Sequence, residues 1–214
     1  MPVPKQLQKN LVLPVIGAPM FLISSIELVV AQCCSGIVGT FPTLNVRPKE
    51  KLRDWIRYIK IACSEFQKEN PQAIVAPFGV NLVALDSNKR LEYDLTICIE
   101  EQVPIIITSM RPPKDVAQAV HEYGGLHFHD VINKRHAQKA VEAGVDGLIL
   151  VCNGAGGHAG MINPFAFVKE VRQFYEGTIL LAGCLTSGKD ILAAQVLGAD
   201  LCYIGTRFIA TKEA

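Results

Sequence analysis

Short apolar runs alternate along the chain with longer amphipathic stretches. Eight β-branched runs cover 13–18, 36–40, 78–83, 103–109, 126–131, 147–152, 178–182 and 200–205. Their residues are apolar nearly throughout, as expected of strands covered on both faces. Helical patterns lie between them, over 25–35, 48–70, 88–102, 113–123, 134–143, 164–175 and 187–197. The pattern at 48–70 carries Leu52, Trp55, Ile56 and Ile59 on one side. Several patterns stop at glycine (Gly124, Gly144, Gly177, Gly198), which takes the left-handed conformation cheaply.

Strands alternating with helices predict a parallel sheet. Eight such units could form an open doubly wound sheet or a closed α/β barrel of the (β/α)8 TIM type. Two features select the barrel. The units after residue 75 are evenly spaced, and the glycine-rich loops follow runs six, seven and eight. An open dinucleotide-binding sheet carries its glycine fingerprint after strand one, where this chain has Ala18-Pro19-Met20. The 214 residues read as a single domain, 1–214, short of the about 250 typical of a complete barrel. The last residues, Thr211-Lys212-Glu213-Ala214, follow directly on run eight. The barrel is therefore expected to be truncated after strand eight, without its last helix.

Composition narrows the function classes. Half the residues are hydrophobic, 19% are charged and the net charge is +1, with no basic block to favour nucleic acid. No apolar stretch has the length of a membrane span. The seven cysteines show no CxxC and no zinc-like spacing, so they read as reduced, mostly buried thiols of a cytoplasmic protein, with no metal expected. A homodimer is compatible with these readings.

Barrel chemistry sits at the C-terminal ends of the strands. The residues there are Ala18-Pro19-Met20, Asn81, Thr108-Ser109, the end of 127–130, Asn153 with its loop, Gly183-Cys184 and Gly205-Thr206-Arg207. Glycines after strands seven and eight suit a phosphomonoester, because backbone N–H groups can approach its oxygens closely. The loop Gly154-Ala155-Gly156-Gly157-His158-Ala159-Gly160 is the strongest local signal: four glycines in seven residues and one histidine fit for proton transfer near neutral pH. His127 and His129 share one side of run five, inward or outward, and His129 is placed at the pocket. His121 and His136 read as helix-surface residues, and Cys184 as a loop thiol.

These residues resemble a known family. Gly156-Gly157-His158-Ala159-Gly160 is similar to the Gly-Gly-His-x-Gly signature of the nitronate monooxygenases, formerly called 2-nitropropane dioxygenases. Ala-Pro-Met after strand one, Gly79-Val80-Asn81-Leu82, Ala182-Gly183 and Gly205-Thr206-Arg207-Phe208 match in order. The resemblance implies an FMN-containing barrel that oxidises alkyl nitronates with O2 to a carbonyl compound and nitrite. It implies that Ala18, Pro19 and Met20 pack near the flavin ring and that Asn81 bonds its polar edge. Gly156 and Gly157 would border the ring, and Gly183, Gly205 and Thr206 would hold the phosphate. His158 would act as base on neutral nitroalkanes or orient the nitronate. Thr108, His129 and Asn153, at the ends of runs four, five and six, complete the expected cofactor-binding set. The chain departs from many relatives where Asn153-Gly154 replaces an acidic position and Cys184 a glycine. FMN-dependent enoyl-acyl-carrier-protein reductases and NAD(P)H:quinone reductases are the neighbouring readings. A barrel that binds a phosphate ligand without catalysis is the alternative of another class.

Overall fold

The computed structural model describes residues 3–85, 87–111, 114–157 and 159–214. Eight strands follow in order: β1 (Val15–Gly17), β2 (Gly39–Pro42), β3 (Phe78–Ala84), β4 (Ile105–Met110), β5 (Leu126–Val131), β6 (Gly147–Val151), β7 (Thr178–Ala182) and β8 (Leu201–Ile204). They form one parallel sheet in the order β1-β8-β7-β6-β5-β4-β3-β2. The two ends meet through the bridge between Ile16 and Val38. There Gly17 N–H donates to Val38 O at 2.7 Å, and Val38 N–H to Val15 O at 3.2 Å. The result is the predicted (β/α)8 TIM barrel.

The helices are α1 (Lys5–Gln8), α2 (Ile26–Cys34), α3 (Leu52–Glu69), α4 (Leu91–Glu100), α5 (Lys114–Glu122), α6 (Lys134–Glu142), α7 (Pro164–Arg172) and α8 (Gly188–Leu197). Sequence periodicity does not register α1, a four-residue turn whose Leu7 is fully buried in the barrel interior. The pattern at 48–70 opens as a separate 3-10 turn, Lys49–Lys51, before α3. Helix α4 starts at Leu91 rather than 88, because Asn88 turns the chain: its amide donates to Val83 O and its Oδ1 accepts from Arg90 N–H.

Each strand divides its side chains between two cores. Ile16, Val38, Ile107, Phe128, Ile149 and Leu180 fill the interior. The outward residues meet the helices in two separate clusters, one around β2–β4 and one around β6–β8. An aspartate just before a strand locks it to its neighbour in two places. Asp146 accepts from His127 N–H at 2.7 Å, and Asp200 from Ile179 N–H at 2.8 Å. Asp200 is further held by Arg172 Nη2 at 2.6 Å.

The outward face of β5 carries a buried polar triad. Thr108 Oγ1 lies 2.7 Å from His127 Nε2 and 2.7 Å from His129 Nδ1. One hydroxyl proton cannot serve both rings. The cheaper arrangement has His127 Nε2–H donating to Thr108, which donates to His129; it leaves His127 Nδ1, unpartnered in the structure, as a bare acceptor rather than a buried N–H. Burial pushes the imidazolium pKa of His127 down to about 3 and that of His129 down to about 4.

Both folded-state values lie below the unfolded one, so the stability from burying neutral rings is present above pH 6.5 and lost as pH falls. Each histidine should cost about 2 kcal/mol between pH 7 and pH 5. Urea unfolding at the two pH values should show that loss, and His129→Gln should remove about half of it; an unchanged acid dependence in the variant would refute the assignment.

Candidate active site

The loops at the C-terminal ends of the strands converge by close backbone contact. After β1, Ala18 N–H donates to Ile204 O at 2.8 Å, tying the loop to β8. Asn45, which follows β2, holds the rest: its Nδ2 donates to Met20 O at 3.1 Å and Ser24 O at 3.0 Å, and its Oδ1 accepts from Leu22 N–H at 2.8 Å. The position of Met20 is therefore set by a residue that no motif marks.

The loop after β6 is tied at its base, where Asn153 N–H donates to Ile162 O and Gly160 N–H to Val151 O. A Cβ at Gly160 would stand 2.4 Å from the Val151 carbonyl, so only glycine allows the chain to return there. Gly183, with φ +134°, brings the loop after β7 against this one: a Cβ there would meet Asn153 O at 3.0 Å and Ala155 N at 3.4 Å. Beyond β8, Thr206 opens a short 3-10 turn, Thr206–Ala210. Its Oγ1 would lie 2.9 Å from a Cβ at Gly156, and a Cβ at Gly205 would lie 3.4 Å from Ala18 Cβ. Thus Ala18, Asn153, Gly156, Gly183, Gly205 and Thr206 form one corner of the barrel mouth. Short loops after strands seven and eight with a short following helix are where barrels of this type hold phosphate. Gly157 is exposed in the same loop, and Cys184 is an exposed thiol bonded to Gly154 O. Residue 158 lies outside the described residues, so the expected catalytic histidine is not part of this geometry.

Two expected cofactor residues lie elsewhere. Strand alternation turns Thr108 and His129 toward the helix layer, where they bond each other behind the barrel wall. The inward positions at the ends of β4 and β5 are Ser109 and Asp130. Asn81 faces inward, donating from Nδ2 to Ile107 O at 3.3 Å and to Ser109 Oγ at 2.8 Å. Ser109 Oγ donates to Asp130 Oδ2 at 2.6 Å. The signal for Ser109 and Asp130 is parity: each stands two residues beyond Ile107 or Phe128, which the structure shows to face the interior. Among the described residues no group of histidine, cysteine and acidic side chains could hold a metal ion. No helix there is long and apolar enough to cross a membrane.

A closed parallel barrel with glycine-built loops at the C-terminal ends of strands six to eight defines the class of (β/α)8 barrels whose mouth can take a phosphate-bearing ligand. Within it, the chain belongs to the nitronate monooxygenase family, whose family model matches residues 8–214. It is 30% identical over 129 residues to a nitronate monooxygenase of Paraburkholderia phytofirmans, covering 56% of this chain and 35% of that protein. It is 28% identical over 143 residues to a (3aS,4S,5R,7aS)-5-hydroxy-7a-methyl-1-oxo-octahydro-1H-indene-4-carboxyl-CoA dehydrogenase of Mycobacterium tuberculosis, covering 64% of this chain and 39% of that protein. FabK from Thermotoga maritima superposes with a TM-score of 0.80 at 26% identity, over 97% of this chain and 62% of that one. The chain thus spans less than half the length of these two curated relatives.

Asn45→Ala should free the loop after β1 and cost about 1–3 kcal/mol, for bonds in a half-buried setting. Thermal melting with limited proteolysis near Phe21 and Leu22 should show a destabilised barrel with a newly cleavable loop. A variant as resistant as the parent would show that Asn45 does not hold it.

Proposed function

We propose that the mouth binds FMN and that the protein oxidises alkyl nitronates with O2 to a carbonyl compound and nitrite. The observation that carries this reading is the single corner made by Gly156, Gly183, Gly205 and Thr206, in a chain of the nitronate monooxygenase family. The corner is lined by backbone and the Thr206 hydroxyl around Gly156 and Gly183, with Ala18 and Met20 beside Gly205. That chemistry suits a phosphate monoester, with N–H groups and the Thr206 hydroxyl as donors. Ala18, Pro19 and Met20 supply an apolar wall for a planar ring. The Asn81 amide cannot turn round, because its Nδ2 faces the Ile107 carbonyl. It therefore offers Oδ1, an acceptor, to a ring N–H.

FMN, when bound, supplies a two-electron acceptor that O2 restores. The protein's part is to hold the nitro compound over the mouth and to manage one proton. For a neutral nitroalkane, an imidazole nitrogen of His158 removes the α-hydrogen as a proton; a preformed nitronate needs no such step. The family resemblance of Gly156-Gly157-His158 supports that role.

A second reading has one observation in its favour. Phe21, Leu22, Met161 and Phe165 stand exposed on the C-terminal side of the barrel, at 55%, 69%, 91% and 64% of their surface. An apolar rim of this kind suits the acyl chain of a thioester, and the relative from M. tuberculosis is named for a carboxyl-CoA substrate. That chemistry would be an FMN-dependent enoyl-thioester reduction using NAD(P)H.

Anaerobic mixing of the FMN-loaded protein with propionate 3-nitronate, and separately with NADPH, decides between them. Bleaching of the flavin by the nitronate alone is the expected result; bleaching by NADPH alone would transfer the assignment to the reductase. His158→Ala should lower turnover of a neutral nitroalkane by about 100-fold or more while changing nitronate turnover far less. Equal losses on both substrates would remove the base role.

A further inference from the structure

Cys33, Cys34 and Cys63 gather where the last turn of α2 packs on α3. Cys33 and Cys63 share the apolar cluster around β2–β4, Cys33 fully buried and Cys63 at its half-buried edge. Cys33 is held from two sides. Its carbonyl accepts from Ala76 N–H at 2.9 Å, and its Sγ–H donates to Pro77 O at 3.7 Å. Cys63 is the sulfur that both neighbours reach: the thiols of Cys33 and Cys34 each hydrogen-bond to it, Cys33 the more strongly. A single thiol in such a place would be a small hydrophobe filling a gap. Two thiols converging on a third place a second sulfur where an oxidised one would need it. The three are not arranged to hold a metal ion.

We propose that Cys63 is a peroxide-sensitive thiol that Cys33 resolves, closing a reversible disulfide clamp between α3 and α2. The Cys63 thiolate attacks one oxygen of hydrogen peroxide. The O–O bond breaks, a sulfenic acid forms, and the departing hydroxide takes up a proton to become water. The Cys33 sulfur then attacks the Cys63 sulfur. The S–S bond forms, the S–O bond breaks, and the Cys33 proton leaves with the hydroxyl as a second water. The two thiols lose two electrons and the peroxide gains them; a dithiol reductant reverses the change.

The surroundings assign the two roles. Cys63 is open to a molecule the size of peroxide, and Cys33 is not. The thiolate is the attacking form. The hydrogen bond from Cys33 lowers the Cys63 pKa against its partial burial, whereas the same bond and full burial push Cys33 up. As Cys63 ionises, the Cys33 S–H turns from Pro77 O to the anion. Cys34, pushed up to about 11 chiefly by burial, stays protonated. The clamp lies in the helix layer, away from the mouth, so it stands apart from the flavin reading. Helix α2 is also the mount of the loop after β1. Met20 N–H donates to Ser24 Oγ at 2.9 Å, and Ser25 Oγ caps the helix by accepting from Leu28 N–H at 3.0 Å. A bond at the last turn fastens the other end of that mount to α3.

The test treats the reduced full chain with a small molar excess of hydrogen peroxide, blocks the remaining thiols and maps the tryptic peptides without reduction. A Cys33–Cys63 link is expected in the parent and in Cys34→Ser alike, and dithiothreitol should remove it. The link closes a loop of about 30 residues, so it should raise the melting temperature by roughly 5–10 °C over the reduced protein. Cys63→Ser should abolish the link and leave Cys33 reduced. Cys33→Ala should let the sulfenic acid persist, trapped on Cys63 by dimedone; if that buried substitution does not fold, Cys63→Ser carries the test. Three results would overturn the proposal: a link from Cys63 to Cys34 in the parent, oxidation of Cys63 to a sulfinic acid without any link, or Cys63 left reduced while the exposed Cys184 is oxidised. A link that leaves the melting temperature unchanged would overturn the clamp.

Discussion

The seam between β1 and β2 is the constraint on which the rest of the barrel depends. It is short: one bridge between Ile16 and Val38, with the two backbone hydrogen bonds that flank it. Closing it puts β1 beside both β8 and β2. The loop after β1 can then reach Ile204 on one side and Asn45 on the other. With the seam open, Met20 would lose the anchor at Asn45 that positions it beside Gly205. The mouth would also lose the loop that sets Ala18 and Met20 beside Gly205.

Closure also fixes what alternation means. In a closed parallel barrel one face of every strand enters a packed interior and the other meets helices. Thr108 and Ser109 are chemically similar neighbours, yet one faces helices and the other the mouth. The same division sends His129 to a structural triad and Asp130 to the hydrogen-bonded chain from Asn81. A polar residue at the end of a strand is therefore a site residue only if its parity matches that of the apolar residues below it.

Much of this was legible in the residues themselves. The strands at 126–131 and 178–182 match the observed β5 and β7, because glycines (Gly125, Gly177) set each run off from the helix before it. The glycine clusters after strands six, seven and eight marked the mouth, since close backbone approach demands glycine at Gly160 and Gly183. Boundaries were less legible where side chains bond the local backbone, as Asn88 does before α4. Asn45 was invisible because its three partners lie more than twenty residues away, in a loop with no repeating pattern.

By itself, the order of apolar runs and helical patterns determined eight parallel strands, and their even spacing with the glycine loops late in the chain selected a barrel over an open sheet. The Gly-Gly-His loop with its partner glycines determined the family. Both are local signals, carried by periodicity and by residues whose backbone freedom is their function. The tertiary structure alone decided which polar residues share the mouth. It removed Thr108 and His129, and it brought in Ser109, Asp130 and Asn45. The reason is that inward and outward positions differ by a single residue along a strand, while the hydrogen bonds that join Asn81 to Asp130 cross between strands.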